Sequence, residues 1–435
     1  MPPSARRVAV QALIPAVRRF PDLPLLEPDL SGLSSADAAL ALAIHRTVLQ
    51  RWLTLDHLIA RQLKSPLRRL DPPTHAVLLT AAAQLLFFDR LPAYAVIDQS
   101  VQLAKSLANP RSAGLVNAVS RKLAELLVET SPQPWQPAAD RLPAADGSTL
   151  RLAGPLLPKP DNLLAHLVVA TSHPLPLLQR WFKQLGKTAA TQLALHGLQN
   201  PPTFIVEDER PRPWEGNRQE LSDWLAQDPR RRVQDPASLA SVAAAAKLQP
   251  PPATVLDLCA GRGTKTRQLR AVFPDARVTA HDPDDARRAD LQTIPDIQVA
   301  APAANQRFDL VVLDVPCSNT GVLARRPGAR YRATPASLAS LQDLQRQIID
   351  RALTHTSPGK HLLYCTCSLD DAENQEMAQY LLTQRPGSKL QTQGTVFPSG
   401  VDTPPDQIIA SPAPDPEPAG GYHDGSYHAL IMLRG

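Results

Sequence analysis

The chain has 435 residues, about three times the ~150 of a typical domain, so two or three domains are expected. Its 43% hydrophobic and 20% charged residues exclude a wholly disordered chain, and no stretch reaches the roughly 18 apolar residues of a membrane span. The net charge of +5 lies in residues 1–130, which hold 15 Lys and Arg against 10 Asp and Glu. That bias is compatible with an ordinary solvated surface or with nucleic-acid binding.

Because Pro15 and Arg18-Arg19 interrupt the opening segment, it lacks the apolar core of a secretory signal, and we expect a cytoplasmic protein.

Residues 1–130 are predicted to form an all-α bundle. Apolar residues recur at helical spacing in five stretches, and prolines separate most of them. Ser34-Ser35 can cap the first helix. The predicted helices are 36–52, 53–62, 73–89, 95–107 and 111–128.

The next two segments differ in composition. Residues 131–160 are rich in Pro and Ala, which is typical of a linker, and Trp135 is their large apolar anchor. Residues 161–235 combine helical patterns at 173–198 and 219–227 with a strand pattern at 203–207. We expect a small α+β middle domain there.

From residue 236 to 435, short apolar runs alternate with helical ones. This alternation predicts a doubly wound parallel α/β sheet of Rossmann type, whose ligands bind at the carboxyl ends of the strands. The predicted strands are 254–258, 277–280, 297–299, 308–313 and 361–365. Several reactive side chains follow directly after these strands: Cys259, Asp282, Asp314, Cys317 and Cys367.

The turn after the first of these strands has a glycine pair, Gly261-Arg262-Gly263. It lacks the spacing of a phosphate-binding loop and the third glycine of a dinucleotide site. Asp282, at the end of the second strand, can accept hydrogen bonds from two ribose hydroxyls. The combination favours a nucleoside cofactor without a pyrophosphate, and S-adenosylmethionine fits. A plain β-turn with a solvated Asp is the alternative.

Two of the four cysteines lie in similar turns, Pro316-Cys317-Ser318 and Thr366-Cys367-Ser368. The residues after Cys367 resemble a helix start, where free amides favour a thiolate, so Cys367 is predicted to be a nucleophile. A small buried hydrophobic residue is the alternative for each, and Cys365 is expected to be structural. The spacing is a poor match to a zinc site, and no metal is expected.

At these turns the sequence resembles bacterial Sun/RsmB-type ribosomal RNA (cytosine-5) methyltransferases of the Nop/Sun group. The resemblance extends to other parts of the chain. Segments 70–72, 84–94 and 109–119 resemble the family's NusB-like RNA-binding domain. Segments 172–175 and 179–181 resemble the start of its middle domain. Segment 234–238 resembles the stretch that leads into the catalytic sheet, and 424–430 resembles the closing hairpin.

The resemblance implies an S-adenosylmethionine-dependent enzyme that methylates C5 of a cytosine in small-subunit (16S) ribosomal RNA. Cys367 would add to cytosine C6, Cys317 would assist release, and Asp314 would bind the cytosine edge. The implied partner is RNA, and a monomer is expected. The implied cofactor residues are Cys259, Ala260, Gly261, Arg262, Gly263, Thr264, Lys265, Asp282 and Asp314.

The chain departs from the family pattern in several places. Arg262 and Thr264 replace a proline and a glycine, the third strand end at 299–303 has no carboxylate, and 205–207 lacks the Arg-x-Asn element. A non-catalytic RNA-binding or ribosome-assembly factor, and the same chemistry on transfer RNA or another ribosomal site, are therefore alternatives. Arg325, Arg326 and Arg330 are predicted to contact RNA phosphates, unless they form only a solvated basic loop.

Overall fold

A computed structural model describes residues 4–23, 27–402 and 421–435. The helices are α1 Ala5–Arg19, α2 Ser35–Ala60, α3 Pro72–Phe87, α4 Ala93–Leu107, α5 Ser112–Ala124, α6 Leu163–Ala170, α7 Leu175–His196, α8 Arg218–Ala226, α9 Pro236–Ala243, α10 Thr264–Val272, α11 Asp285–Leu291, α12 Ala329–Arg332, α13 Pro335–His355 and α14 Gln375–Gln384. The strands are β1 Leu127–Pro134, β2 Arg141–Pro143, β3 Ser148–Leu152, β4 Phe204–Glu207, β5 Arg210–Pro213, β6 Arg232–Val233, β7 Thr254–Asp257, β8 Arg277–Ala280, β9 Ile297–Val299, β10 Phe308–Asp314, β11 Thr356–Thr366, β12 Lys389–Val396 and β13 Ser426–Met432.

The chain forms two compact units. The first unit runs up to Asn200 and also includes Leu323–Thr334, and the second consists of Pro201–Val322 and Pro335–Gly435. The predicted three-domain boundaries, with a separate middle domain at 161–235, remain a prediction. Among the described residues, no helix combines the length and apolarity needed to cross a membrane.

The N-terminal part of the first unit confirms the predicted helical bundle. The side chain of Ser34 caps α2 by accepting from the amide of Asp37, and Asp71 caps α3 in the same way. Two details differ from the prediction. The stretches 36–52 and 53–62 form the single helix α2, because no helix-breaking residue separates them, and α1 is a further helix that contains Pro15.

The segment expected to be a linker, 131–160, instead contains most of a small antiparallel sheet with the order β1-β3-β2. Gly147 adopts a φ of 84°, which permits the tight turn into β3. Trp135 is buried against His166, with ring centroids 5.8 Å apart, and its Nε1 donates to the carbonyl of Arg141. The Pro-rich composition therefore concealed edge strands, which tolerate proline.

The second unit is built on a seven-stranded sheet with the order β12-β13-β11-β10-β7-β8-β9. Strands β7 to β11 pair in parallel, and β13 is antiparallel to both of its neighbours. The predicted Rossmann-like class is confirmed, and β8 and β9 have the predicted bounds. A separate small sheet has the order β5-β4-β6. The carboxyl ends of β7, β8, β10 and β11 present the predicted reactive residues.

Candidate active site

Adjacent strands bring Cys317 and Cys367 together. Asp314 ends β10 and pairs with Cys365 near the end of β11, so the turns that follow these strands are neighbours. The two sulfur atoms are 3.2 Å apart. The backbone also joins the turns, because the amide of Gly321 donates to the carbonyl of Cys367 at 2.9 Å.

The two thiols are not equivalent. The hydrogen bond with Cys367, together with burial, raises the pKa of Cys317 well above the usual thiol value. Cys317 therefore remains a protonated thiol that can donate to the Cys367 sulfur. The Oδ1 of Asn319 lies 3.3 Å from the Cys367 sulfur, and its Nδ2 donates to the carbonyl of Cys317 at 2.7 Å. Asn319 thus contacts both cysteine residues.

The predicted helix start at Cys367 is wrong. A short 3-10 turn occupies Asp371–Glu373, and α14 begins only at Gln375. The intervening polar residues instead form side-chain hydrogen bonds with the backbone of their own turn. Ser368 Oγ, for example, accepts from the amide of Asp370 at 3.0 Å. The environment of Cys367 therefore depends on neighbouring side chains rather than on a helix dipole.

Lys265 places a positive charge beside Asp314. Its Nζ lies 2.8 Å from Asp314 Oδ2. Although burial opposes the charge of Lys265, the Asp314 carboxylate raises its pKa. Nearby Asp257 is fully buried and accepts from Thr266 Oγ1 at 2.7 Å, and burial raises its pKa to about 7. Asp314 is thereby anchored through one oxygen while its side chain remains 37% exposed.

The glycine turn between β7 and α10 approaches the predicted ribose acid. Gly261 has a φ of 56°, and its amide donates to Asp282 Oδ2 at 3.0 Å. Asp282 Oδ1 accepts from the amide of Asp284 at 3.0 Å. Gly263 has a φ of 85°, a left-handed conformation that favours glycine, and a Cβ there would also lie 2.3 Å from the end of the Ile294 side chain.

These residues fit a nucleoside cofactor of the S-adenosylmethionine type. A Cβ added to Gly261 would meet no described atom within 4 Å, so the backbone borders open space. Each oxygen of Asp282 accepts one backbone hydrogen bond, and a carboxylate oxygen can accept a second from a ribose hydroxyl. The donor set therefore matches a ribose held beside a glycine turn.

The departures from the family pattern do not obstruct this turn. Arg262 is largely exposed and forms an ion pair with Asp290. Thr264 is the first residue of α10. The chain after β9 retains no carboxylate at 299–303.

The remaining two cysteines differ in burial, since Cys259 is half-buried and Cys365 is buried, and the cofactor role of Cys259 remains a prediction. Burial raises the pKa of Cys259 to about 12, so it stays a neutral thiol after β7. Cys365 is fully buried in the core on β11. Among the described residues, no cluster of His, Cys, Asp and Glu is arranged to hold a metal ion.

The prediction that Arg330 contacts RNA is wrong. Its side chain is fully buried in the first unit and donates only to backbone carbonyls. Burial lowers its pKa to about 10. Arg325 is half-buried and Arg326 is exposed, so their RNA contacts remain a prediction. The acceptors for Arg330 are Gln50, Thr171, Gly197, Leu323 and Pro327, at 2.7 to 3.4 Å.

Sequence reasoning missed Asn319 and the buried Glu373. Asn319 has a φ of 61°, a conformation that asparagine tolerates better than most residues, so its place in a Ser-Asn-Thr-Gly turn was a usable signal. Glu373 is fully buried and accepts a hydrogen bond from the amide of Ser318 at 2.9 Å. Its spacing from Cys317 in the sequence gives no such signal.

Comparisons with known proteins give consistent results. The family model described as 16S rRNA methyltransferase RsmB/F matches residues 245–422, and the NusB family model matches 3–125. Ribosomal RNA small subunit methyltransferase B of Xanthomonas campestris is 31% identical, covering 85% of each chain. The protein of the same name from Salmonella heidelberg is 26% identical over 99% of this chain and 98% of that one. The crystal structure of PH0851 has a TM-score of 0.65 and 19% identity over 98% of both chains, which supports the fold.

Proposed function

The chain belongs to the ribosomal RNA small subunit methyltransferase B family of S-adenosylmethionine-dependent RNA (cytosine-5) methyltransferases, and we propose that it methylates 16S ribosomal RNA through a covalent adduct with Cys367. The observation that carries this proposal is the 3.2 Å separation of the Cys317 and Cys367 sulfurs beside Asp314. One thiol at such a site can attack while the other assists.

The target cytosine must leave its base stack to reach the strand ends. C5 of cytosine is a poor nucleophile until a thiolate adds to C6 and converts the ring to an enamine. Cys367 makes this addition. S-adenosylmethionine, when bound, supplies the methyl group as an electrophile for C5.

Asp314 stabilises the adduct from the edge of the base. Lys265 holds its Oδ2, which leaves Oδ1 to accept from the N4 amino group, and also from N3 once N3 has taken a proton from water in the adduct. The partial exposure of Asp314 is consistent with access by a base. Since the ion pair fixes the carboxylate before substrate binds, little reorganisation is needed during the reaction.

Cys317 acts on the leaving sulfur. In the final step water takes the C5 proton, the electrons of the C5–H bond form the C5–C6 double bond, and the C6–S bond breaks with its electron pair returning to Cys367. The protonated thiol of Cys317 donates a hydrogen bond to that sulfur, which stabilises the departing thiolate. Removal of Cys317 should therefore slow release more than attack.

The test uses radiolabelled S-adenosylmethionine and 16S RNA that lacks the mark. Cys367→Ala should abolish transfer, and retained transfer would exclude Cys367 as the nucleophile. Cys317→Ala should accumulate a covalent RNA adduct on a denaturing gel, and the absence of an adduct would remove its release role. Bisulfite mapping of RNA from cells with and without the gene identifies the cytosine, and a mark on transfer RNA would overturn the proposed substrate.

A further inference from the structure

Each proposed reactive cysteine is followed by a serine, and the two serine hydroxyls are in contact. Ser318 Oγ lies 3.1 Å from Ser368 Oγ, and both residues are buried. Thr320 Oγ1 lies 3.1 Å from Ser368 Oγ and accepts from the amide of Leu369 at 2.9 Å. A buried row of hydroxyls therefore connects the turn that carries Cys317 with the turn that carries Cys367.

Glu373 lies against this row and binds the residue after Cys317, while Gln345 binds the residue before it. Its Oε1 accepts from the amide of Ser318 at 2.9 Å, and its Oε2 accepts from the Ser318 hydroxyl. Gln345 Nε2 donates to the same Oε1 at 3.0 Å and to the carbonyl of Pro316 at 2.9 Å. The residues before and after Cys317 are thus held by one carboxyl group and its amide partner.

The backbone of Glu373 is fixed as well. Its carbonyl accepts from the hydroxyl of Tyr364 on β11 at 2.7 Å. The next residue, Asn374, accepts from Thr366 Oγ1 at 2.7 Å and donates to the carbonyl of Ser368 at 3.0 Å. Glu373 therefore belongs to the Cys367 side of the site while its carboxyl group holds the Cys317 side.

Stability alone does not account for an acid at this position. Glu373 is fully buried, and burial raises its pKa. A well-packed apolar residue usually stabilises such a site at least as well as a buried ionisable group does. An apolar residue, however, could not accept from an amide, a hydroxyl and a carboxamide at once. The hydrogen bonds to the Cys317 turn are what distinguish the acid.

We infer that Glu373 is a positioning residue that holds the Cys317 turn against the Cys367 turn and so sets the distance between the two sulfurs. The inference rests on the proposed function, because it takes these two cysteines as the reacting pair. Glu373 acts on the position of Cys317 through its hydrogen bonds to Ser318.

The test compares Glu373→Gln with Glu376→Gln, a control at an exposed position on α14. Glutamine preserves the shape of Glu373 but replaces Oε2 by an amide NH2, so the Ser318 hydroxyl would have to accept there instead of donating. The first measurement needs no RNA. Diamide oxidises the two thiols to a disulfide and is itself reduced to the hydrazine, and mass spectrometry follows the Cys317–Cys367 peptide pair. We expect Glu373→Gln to form this cross-link about tenfold more slowly, with the control unchanged.

The second measurement is single-turnover methyl transfer. A displacement of the turn by about 1 Å should slow transfer about 100-fold in Glu373→Gln, while KM for S-adenosylmethionine stays within about twofold. The trapped adduct should increase as a fraction of bound RNA. A purely structural role would lower transfer and adduct together, in proportion to the folded fraction.

The outcomes separate the two proposals. Transfer by Cys367→Ala would overturn the proposed function. Cross-linking and transfer at wild-type rates in Glu373→Gln would overturn the positioning role and leave the nucleophile assignment intact. If Glu373→Gln fails to fold, Ser318→Ala removes the hydroxyl end of the same contact. Unchanged cross-linking in that variant would also overturn the inference.

Discussion

Gly321 offers a sensitive test of the site geometry. It follows the Cys317 turn, and its amide donates to the carbonyl of Cys367 while its carbonyl accepts from the amide of Gly425. A Cβ at Gly321 would lie 2.7 Å from the Gly425 oxygen and 2.9 Å from the Cys367 oxygen. Both obstacles are backbone atoms, which cannot rotate away as a flexible side chain can.

Gly321→Ala must therefore move the backbone of the Cys367 turn. Relieving these contacts to an ordinary separation of about 3.4 Å requires shifts of roughly half an ångström or more, with an overpacking cost of about 1–3 kcal/mol. Because the two sulfurs are only 3.2 Å apart, a shift of this size changes the distance between them by a large fraction. We expect methyl transfer to fall by about 10- to 100-fold.

The assay pairs urea denaturation with single-turnover methyl transfer. Gly328→Ala is the matched control, because a Cβ there would meet only the side chains of Leu23 and Leu49 at 3.7 and 4.0 Å. It should leave the unfolding free energy within about 0.5 kcal/mol of wild type. Wild-type stability and transfer in Gly321→Ala would refute the close packing of the two turns.

Three further predictions concern other parts of the chain. Arg330→Met should lower the unfolding free energy by about 3–5 kcal/mol, measured by urea denaturation, because it leaves buried carbonyls without a donor. The raised pKa of Asp257 favours its protonated form in the folded state, so the stabilisation is present below about pH 4 and is lost as the pH rises toward 7. Relative to Asp257→Asn, the unfolding free energy of the wild type should fall by on the order of 4 kcal/mol across that window. Unfolding free energies that change with pH in the same way in both proteins would contradict this. Asp282→Ala should weaken S-adenosylmethionine binding about tenfold or more by calorimetry, whereas Arg262→Ala, whose side chain pairs with Asp290, should change it by less than about twofold.

Much of the catalytic sheet could be predicted because its signals are local. The apolar runs that became β8 and β9 are short and bounded by polar segments, and the placement of Cys317 and Cys367 follows from the rule that parallel strands end at one edge. The helix expected after Cys367 was wrong because serine and aspartate also form non-helical turns. Composition gave no sign of β1 to β3.

The site details that were missed depend on residues far apart in the chain. Arg330 resembled a phosphate ligand because its neighbours in sequence are basic, but carbonyls as distant as Gln50 and Gly197 surround it. Glu373 binds Ser318 across 55 positions. No local pattern encodes such contacts, since burial of a charge is decided by tertiary structure.

The inclusion of Leu323–Thr334 in the first unit has a consequence for biosynthesis and for fragment design. A ribosome completes the N-terminal 200 residues long before it reaches this piece, so the unit lacks Arg330 and Tyr331 during most of translation. A fragment starting at Pro201 would keep both side chains but lose the carbonyls of Leu49 and Gly197 that they bind. Fragments 1–200 and 201–435 should therefore fail to fold stably when each is expressed alone. When the two fragments are co-expressed, Leu323–Thr334 of the second fragment can bind the first, and both should fold.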